Sequence, residues 1–260
     1  MTTDDRDIVP MSEDDLGETG SESRSSGSEG KKKKQLPVWQ ESILLLGVAL
    51  VLAIVIKAFF VQAFYIPSES MEPGLVKNDR ILVEKWSYWG SGTPQRGDVV
   101  VFKDPDHWLP PQDAAGPTGG LPKLLTKVGL YPAGGHLVKR VIGLPGDVIK
   151  CCDEQGRISV NGVPLDEPYL KNGAQCNGPM IGCHWTAGPV PEGRMFVMGD
   201  HRDASGDSTV HLCRPDTQGC DPKAGFVPLD LVVGRVFVLV WPRDHFGWLN
   251  RPATFEDIDQ

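Results

Sequence analysis

A single apolar stretch constrains this chain more than anything else in it. From Ile43 to Ile56 there is no charged residue, and after Lys57 the run resumes as Ala58-Phe59-Phe60-Val61. Counted from Ile43 to Phe64 it has 22 residues, about 33 Å as a helix at ~1.5 Å per residue, enough to cross a bilayer core. Lys57 stands near one end, where its long side chain snorkels outward. Trp39 on one flank and Tyr65 on the other suit the two interfaces. A cleaved secretory leader is the competing reading. The thirty residues ahead of Lys31 and the lack of a small-x-small site after Val61 count against it. A membrane anchor is therefore assigned to residues 38–64.

Charge sets the orientation. Lys31-Lys32-Lys33-Lys34 precede the run, which puts the N-terminus in the cytoplasm and everything after Phe64 outside. Ahead of those lysines, residues 1–30 carry nine acidic against two basic residues and no aromatic one. Such a stretch buries too little apolar surface to offset chain entropy, so residues 1–35 are expected to be a disordered acidic cytoplasmic tail. Residues 1–30 hold −7 of the net charge of −8, which leaves the other 230 residues close to neutral. No basic face is left for nucleic acid.

Beyond the span the periodicity is that of strands. Arg80–Lys85, Asp98–Lys103, His136–Ile142, Arg194–Met198 and Leu231–Trp241 are short apolar runs rich in β-branched residues, punctuated by Gly and Pro. Residues 157–163 read as half of a hairpin turning at Asn161-Gly162. Leu231–Trp241 is too short and too β-branched for a second span, and it carries Arg235. Residues 65–250 are thus expected to form a mainly β domain, with a Pro/Gly-rich loop insertion at about 104–135 and one possible helical turn at 123–128. Residues 251–260 read as a C-terminal tail.

Directly after the span lies Tyr65-Ile66-Pro67-Ser68-Glu69-Ser70-Met71-Glu72-Pro73-Gly74-Leu75. Two prolines six residues apart stiffen it, because each fixes its own φ and pushes the preceding residue out of the helical region. Small hydroxyls on so stiff a segment suit nucleophilic chemistry, which depends on geometry held to a fraction of an ångström.

All six cysteines follow the span. Their even number and exterior placement fit disulfides. Cys176/Cys183 and Cys213/Cys220 each enclose a loop with turn residues and are the preferred pairs, whereas Cys151-Cys152 is left unplaced. Zinc is the rival, with His184 and His211 nearby, but the spacings are not the usual ligand gaps.

Four blocks, in order behind an N-terminal anchor, resemble bacterial type I signal peptidase (leader peptidase). They are Ile66–Pro73, Arg96–Phe102, Lys139–Asp147 and Gly199–Ser208. The resemblance implies a membrane-anchored serine endopeptidase without a cofactor or metal, which removes signal peptides from secretory preproteins after small residues. It implies Ser70 as nucleophile and Lys139 as general base, acting through an acyl-enzyme. A lysine serves as a base only when burial lowers its pKa, and Leu137, Val138, Val141 and Ile142 around Lys139 fit that need. The resemblance further implies that Ser68 completes an oxyanion hole and that Ser205 orients the lysine. It makes Asp200, Arg202, Asp203 and Asp207 a supporting ion-pair frame. Phe64, Ile66, Met71, Leu75, Ile81, Val101, Leu137 and Val138 match the lining of two shallow substrate pockets. The lipid bilayer and the protein-export translocon are the other implied partners. The chain departs from the usual pattern at His201, Ala204, Thr209 and Gly74, and Thr209 leaves the partner of Asp207 open. Two other classes share parts of this pattern: an anchored, non-catalytic β module, and a soluble self-cleaving repressor of the Ser–Lys type. The first has no use for both Ser70 and Lys139, and the second lacks a span.

Overall fold

The computed structural model describes residues 37–88, 90, 92–105, 107–111, 119–120, 134–173, 182–214 and 218–258. The acidic tail with its lysines, most of the 104–135 insertion with the turn at 123–128, and Cys176 lie outside the described residues. The chain divides into two units, Met1–Leu44 and Leu45–Gln260.

Helix α1 (Val38–Phe59) runs across that boundary. It opens at Pro37, whose carbonyl accepts from the Gln40 and Glu41 amides, and Glu41 in the first turn complements the helix dipole. Its window Val38–Ile56 has a mean hydropathy of 2.2 with none of it buried, long and apolar enough to cross a membrane. The expected anchor continued to Phe64, but the helix stops at Phe59 and Val61–Tyr65 forms strand β1. An apolar run does not reveal where it changes period. Here Phe64 turns into the core opposite Ile81, as one face of a strand does.

Among the described residues the strands form two antiparallel sheets. The larger contains β1, β2 (Arg80–Glu84), β3 (Val99–Lys103), β4 (His136–Gly143), β9 (Arg194–Met198), β10 (Val227–Pro228), β11 (Val232–Trp241) and β12 (Gly247–Trp248). Its order is β1-β2-β11-β3-β4-β9-β10, with β12 added to β11. The five apolar runs singled out in the sequence are the central strands. Of these, β3, β4 and β9 are buried on both faces over most of their length and so read as nearly continuous hydrophobic stretches, while β11 alternates buried and partly exposed positions. Register shifts along β11 bend the sheet. Gly234 stands where β11 crosses β2 most closely: a Cβ there would collide with the Glu84 carbonyl oxygen. The smaller sheet holds β5 (Ile149–Cys151), β6 (Ser159–Val160), β7 (Val163–Pro164) and β8 (Trp185–Ala187) in the order β7-β6-β5-β8. Asn161 and Gly162, both at positive φ, make the expected two-residue turn between β6 and β7.

The core follows the strand alternation. Val99 and Val101 join Phe64, Ile66, Met71, Leu75, Ile81 and Val83 in one cluster. Val100 and Phe102 face Leu137, Val141, Met195 and Val197 in a second. The third lies under the small sheet and includes Phe255. Residues 251–258 are therefore more than a tail. Phe255 is buried in a 3₁₀ turn, Ala253–Ile258, and Arg251 pairs with Asp98. A lone aromatic among polar residues carries no periodicity from which to foresee this.

Candidate active site

β1 hands the chain to Ile66, whose amide donates to the Asp79 carbonyl while its own carbonyl accepts from Asn78. Met71 and Leu75 sink into the first core cluster, and the Asp79 carboxylate accepts from the Val76 amide at 2.7 Å. The segment between the two prolines is thus pinned at both ends. Ser70 is buried at its centre. Its carbonyl accepts from the His201 amide, and the His201 ring reaches the Glu69 carbonyl at 3.1 Å.

β4 brings Lys139 to this serine. Lys139 Nζ lies 2.6 Å from Ser70 Oγ, and Ser68 Oγ lies 3.2 Å from the same oxygen. Lys139 is 4% exposed. Burial brings its ammonium down to about 8, against the opposing pull of the Asp207 and Asp200 carboxylates. The arrangement is a hydroxyl held against an amine that loses its proton near pH 8, with a second hydroxyl alongside.

The loop after β9 closes the site. Gly199 donates its amide to Asp207 Oδ2, and a Cβ on it would strike both the Ser205 hydroxyl and the Ser70 carbonyl oxygen. The Ser205 hydroxyl donates to Asp207 Oδ2 at 2.6 Å, so its proton is committed to the carboxylate. The other oxygen of Asp207 accepts from the Thr209 amide and hydroxyl at 3.1 and 2.7 Å. Two hydrogen bonds thus stand where a cation was in question.

The other three residues expected to frame the site pair with residues beyond the 199–209 loop. Asp200 is forked by Arg140 at 2.8 and 2.6 Å, Arg202 forks Glu167 at 3.1 and 2.6 Å, and Asp203 accepts from Asn172. Arg140 and Glu167 are the partners that sequence reasoning missed. An apolar strand gave no sign that Arg140 would be buried, and Glu167 lies 35 residues from its arginine.

Of the residues expected to line the substrate pockets, Phe64, Ile66, Met71, Leu75, Ile81 and Val101 belong to the first core cluster, with Val138 packed against it. Leu137 belongs to the second cluster. A cavity of about 440 Å³ opens elsewhere, against Arg235, Phe237, Trp248 and Arg251, away from these residues. Cys213 is bonded to Cys220 and Cys151 to Cys152. Cys183 is disulfide-bonded, while its expected partner Cys176 lies outside the described residues.

A sequence profile described as signal peptidase, peptidase S26, matches residues 39–241. A protein of Mycobacterium leprae named probable signal peptidase I is 37% identical over 252 residues, covering 90% of this chain and 86% of the relative. The signal peptidase I of Mycobacterium tuberculosis H37Rv is 34% identical over 260 residues, covering 93% and 85%. A crystal structure of a signal peptidase I from Enterococcus faecalis is 26% identical, covering 55% of this chain and 95% of that one, with a TM-score of 0.28.

Proposed function

The chain belongs to the signal peptidase family, peptidase S26, and on that premise we propose that Ser70 and Lys139 carry its serine-protease chemistry as a nucleophile–base dyad. The family is one of hydrolases that remove signal peptides. The observation that carries the dyad is the buried 2.6 Å contact between Lys139 Nζ and Ser70 Oγ.

Neutral Lys139 takes the hydroxyl proton as Ser70 Oγ attacks the scissile carbonyl carbon. The carbonyl oxygen gains the negative charge and is met by the Ser70 amide and the Ser68 hydroxyl. The tetrahedral intermediate collapses, the C–N bond breaks, and Lys139 returns its proton to the leaving amine. Water then enters, gives a proton to Lys139 and attacks the acyl carbon; the ester C–O bond breaks and Lys139 returns that proton to Ser70 Oγ, freeing the carboxylate product. Ser205, its own proton held by Asp207, offers lone pairs alone, the polarity needed to align a lysine N–H.

Apolar walls at Phe64, Ile66, Met71, Ile81 and Val138 favour small side chains before the cut, of the Ala-x-Ala kind. The lysines ahead of α1 place the N-terminus in the bacterial cytoplasm and the catalytic domain outside. With Ser70 so soon after the span, enzyme and emerging cleavage point share the outer membrane face. The bilayer and the export translocon are the proposed surroundings.

The test is cleavage of a secretory preprotein in detergent by the wild type, Ser70→Ala and Lys139→Ala. We expect a product with a new N-terminus after a small residue, lost in both variants. Cleavage that survives either substitution rules out the dyad.

A further inference from the structure

The dyad reading draws on three elements: the loop after β1 with Ser70, strand β4 with Lys139, and the 199–209 loop with Ser205. A fourth segment, Glu167–Asn172, touches all three. Glu167 forks Arg202, whose Nε donates to the Gly199 carbonyl at 3.0 Å. The Tyr169 hydroxyl donates to Glu167 Oε1, and the Tyr169 ring carries the Arg140 guanidinium at 4.2 Å from its centre. Arg140 follows Lys139 on β4 and forks Asp200. The Lys171 amide donates to the Asp200 carbonyl, and its ammonium pairs with Glu72, two residues past Ser70. Asn172 donates to Asp203.

We propose that Glu167–Asn172 is a strap that positions the dyad, with Glu167 and Tyr169 as positioning residues that set the rate of acyl transfer rather than substrate affinity. The inference rests on the dyad reading. Its physical basis is geometric and electrostatic. Gly199 has no room for a side chain between Ser70 and Ser205, so its peptide must stay where Asp207 holds the amide and Arg202 the carbonyl. Arg202 stays only while Glu167 holds it. Charge is balanced as well: two guanidiniums, Arg140 and Arg202, meet two carboxylates, Asp200 and Glu167, all buried. Lys139 faces the Ser70 hydroxyl and the charges of Asp200 and Asp207. Behind Asp200 stand Arg140, Arg202, Glu167 and Tyr169, and behind Asp207 the hydroxyls of Ser205 and Thr209.

The full chain in detergent is assayed for preprotein cleavage across neutral to alkaline pH as wild type, Glu167→Gln, Glu167→Asp, Tyr169→Phe and Lys171→Gln. Glu167→Gln leaves the buried quartet with one positive charge in excess. We expect a roughly 10–100-fold loss of kcat with little change in KM. The rising limb of kcat against pH moves to lower pH, because the added charge disfavours protonated Lys139. Glu167→Asp restores the charge and returns the limb. Tyr169→Phe keeps the charges and the ring, so kcat falls by a smaller factor and the limb stays in place. Lys171 is at the surface, so Lys171→Gln folds in any case and still loses several-fold in kcat. The strap is overturned if all four variants, corrected for folded fraction, match the wild type in kcat and limb while only melting temperatures fall. A wild type with no rising limb whose activity survives Lys139→Ala overturns the dyad itself, and the inference with it.

Discussion

Two sets of arginine–carboxylate pairs sit in the same domain and differ in one respect, access to water. Beneath the site, Arg140–Asp200 and Arg202–Glu167 are closed off, with side-chain exposures of 8% and 3%, then 6% and 1%. At the β2–β11 end, Arg235–Glu84 and Arg251–Asp98 keep their carboxylates buried but leave the arginine side chains 30% and 40% exposed. The chemistry of the pairs is the same. Where both partners are dry, neither can be removed without stranding a charge; where one stays wet, solvent takes up most of the loss. Fixed geometry follows from the first arrangement and tolerance from the second.

The sharpest test removes one guanidinium from each end. Arg140→Ala strands Asp200 and is expected to cost about 3–5 kcal/mol, read as a shift in the urea midpoint. Arg251→Ala leaves Asp98 with the Tyr88 hydroxyl, the Gln95 amide and Arg235 nearby, and is expected to cost about 1 kcal/mol. Equal shifts would break the comparison.

Next comes pH. Lys139, the proposed base, is lowered to about 8 and in that role must be neutral, so activity is expected to climb as pH rises through about 8 and to fall about tenfold per unit below it. The sign for stability is the same. Between the folded value and the ordinary lysine value the unfolded chain binds more protons, so stability from this group rises with pH across that window and is flat below it. Chemical denaturation across the window in wild type and Lys139→Met measures it, and a Lys139→Met curve with the same slope would remove the assignment.

A finer contrast uses hydroxyls. Thr209→Val deletes one donor to buried Asp207 and is expected to cost roughly 1–2 kcal/mol, against at most roughly 0.5 for Ser87→Ala, whose partner Glu84 keeps Arg235. The smallest effect should come from Gly74→Thr. A Cβ there meets only the Met71 carbonyl oxygen at 3.9 Å, so the melting curve should stay within about 0.5 kcal/mol of wild type.

The central strands were legible because strands covered on both faces announce themselves as short β-branched runs, and the Asn161-Gly162 turn because its conformation suits few residues. Ser70 and Lys139 stood out through blocks of neighbouring residues. What stayed hidden was set by distance along the chain. Glu167 meets Arg202 35 residues away and Arg140 meets Asp200 at a separation of 60. No local pattern marks an ion pair of that span. The end of α1 was hidden for another reason: helix and strand met inside one apolar run.

The place of β11 has a temporal consequence. Ser70 follows β1, which pairs with β2, while Lys139 rides on β4, which pairs with β3. The strand that joins β2 to β3 is β11, residues 232–241, nearly the last to be synthesised. In the finished sheet, Ser70 and Lys139 stand on hairpins that only this strand joins. Strand order thus makes the meeting of Ser70 with Lys139 depend on one of the last strands in the chain, a timing written into topology rather than into any removable segment.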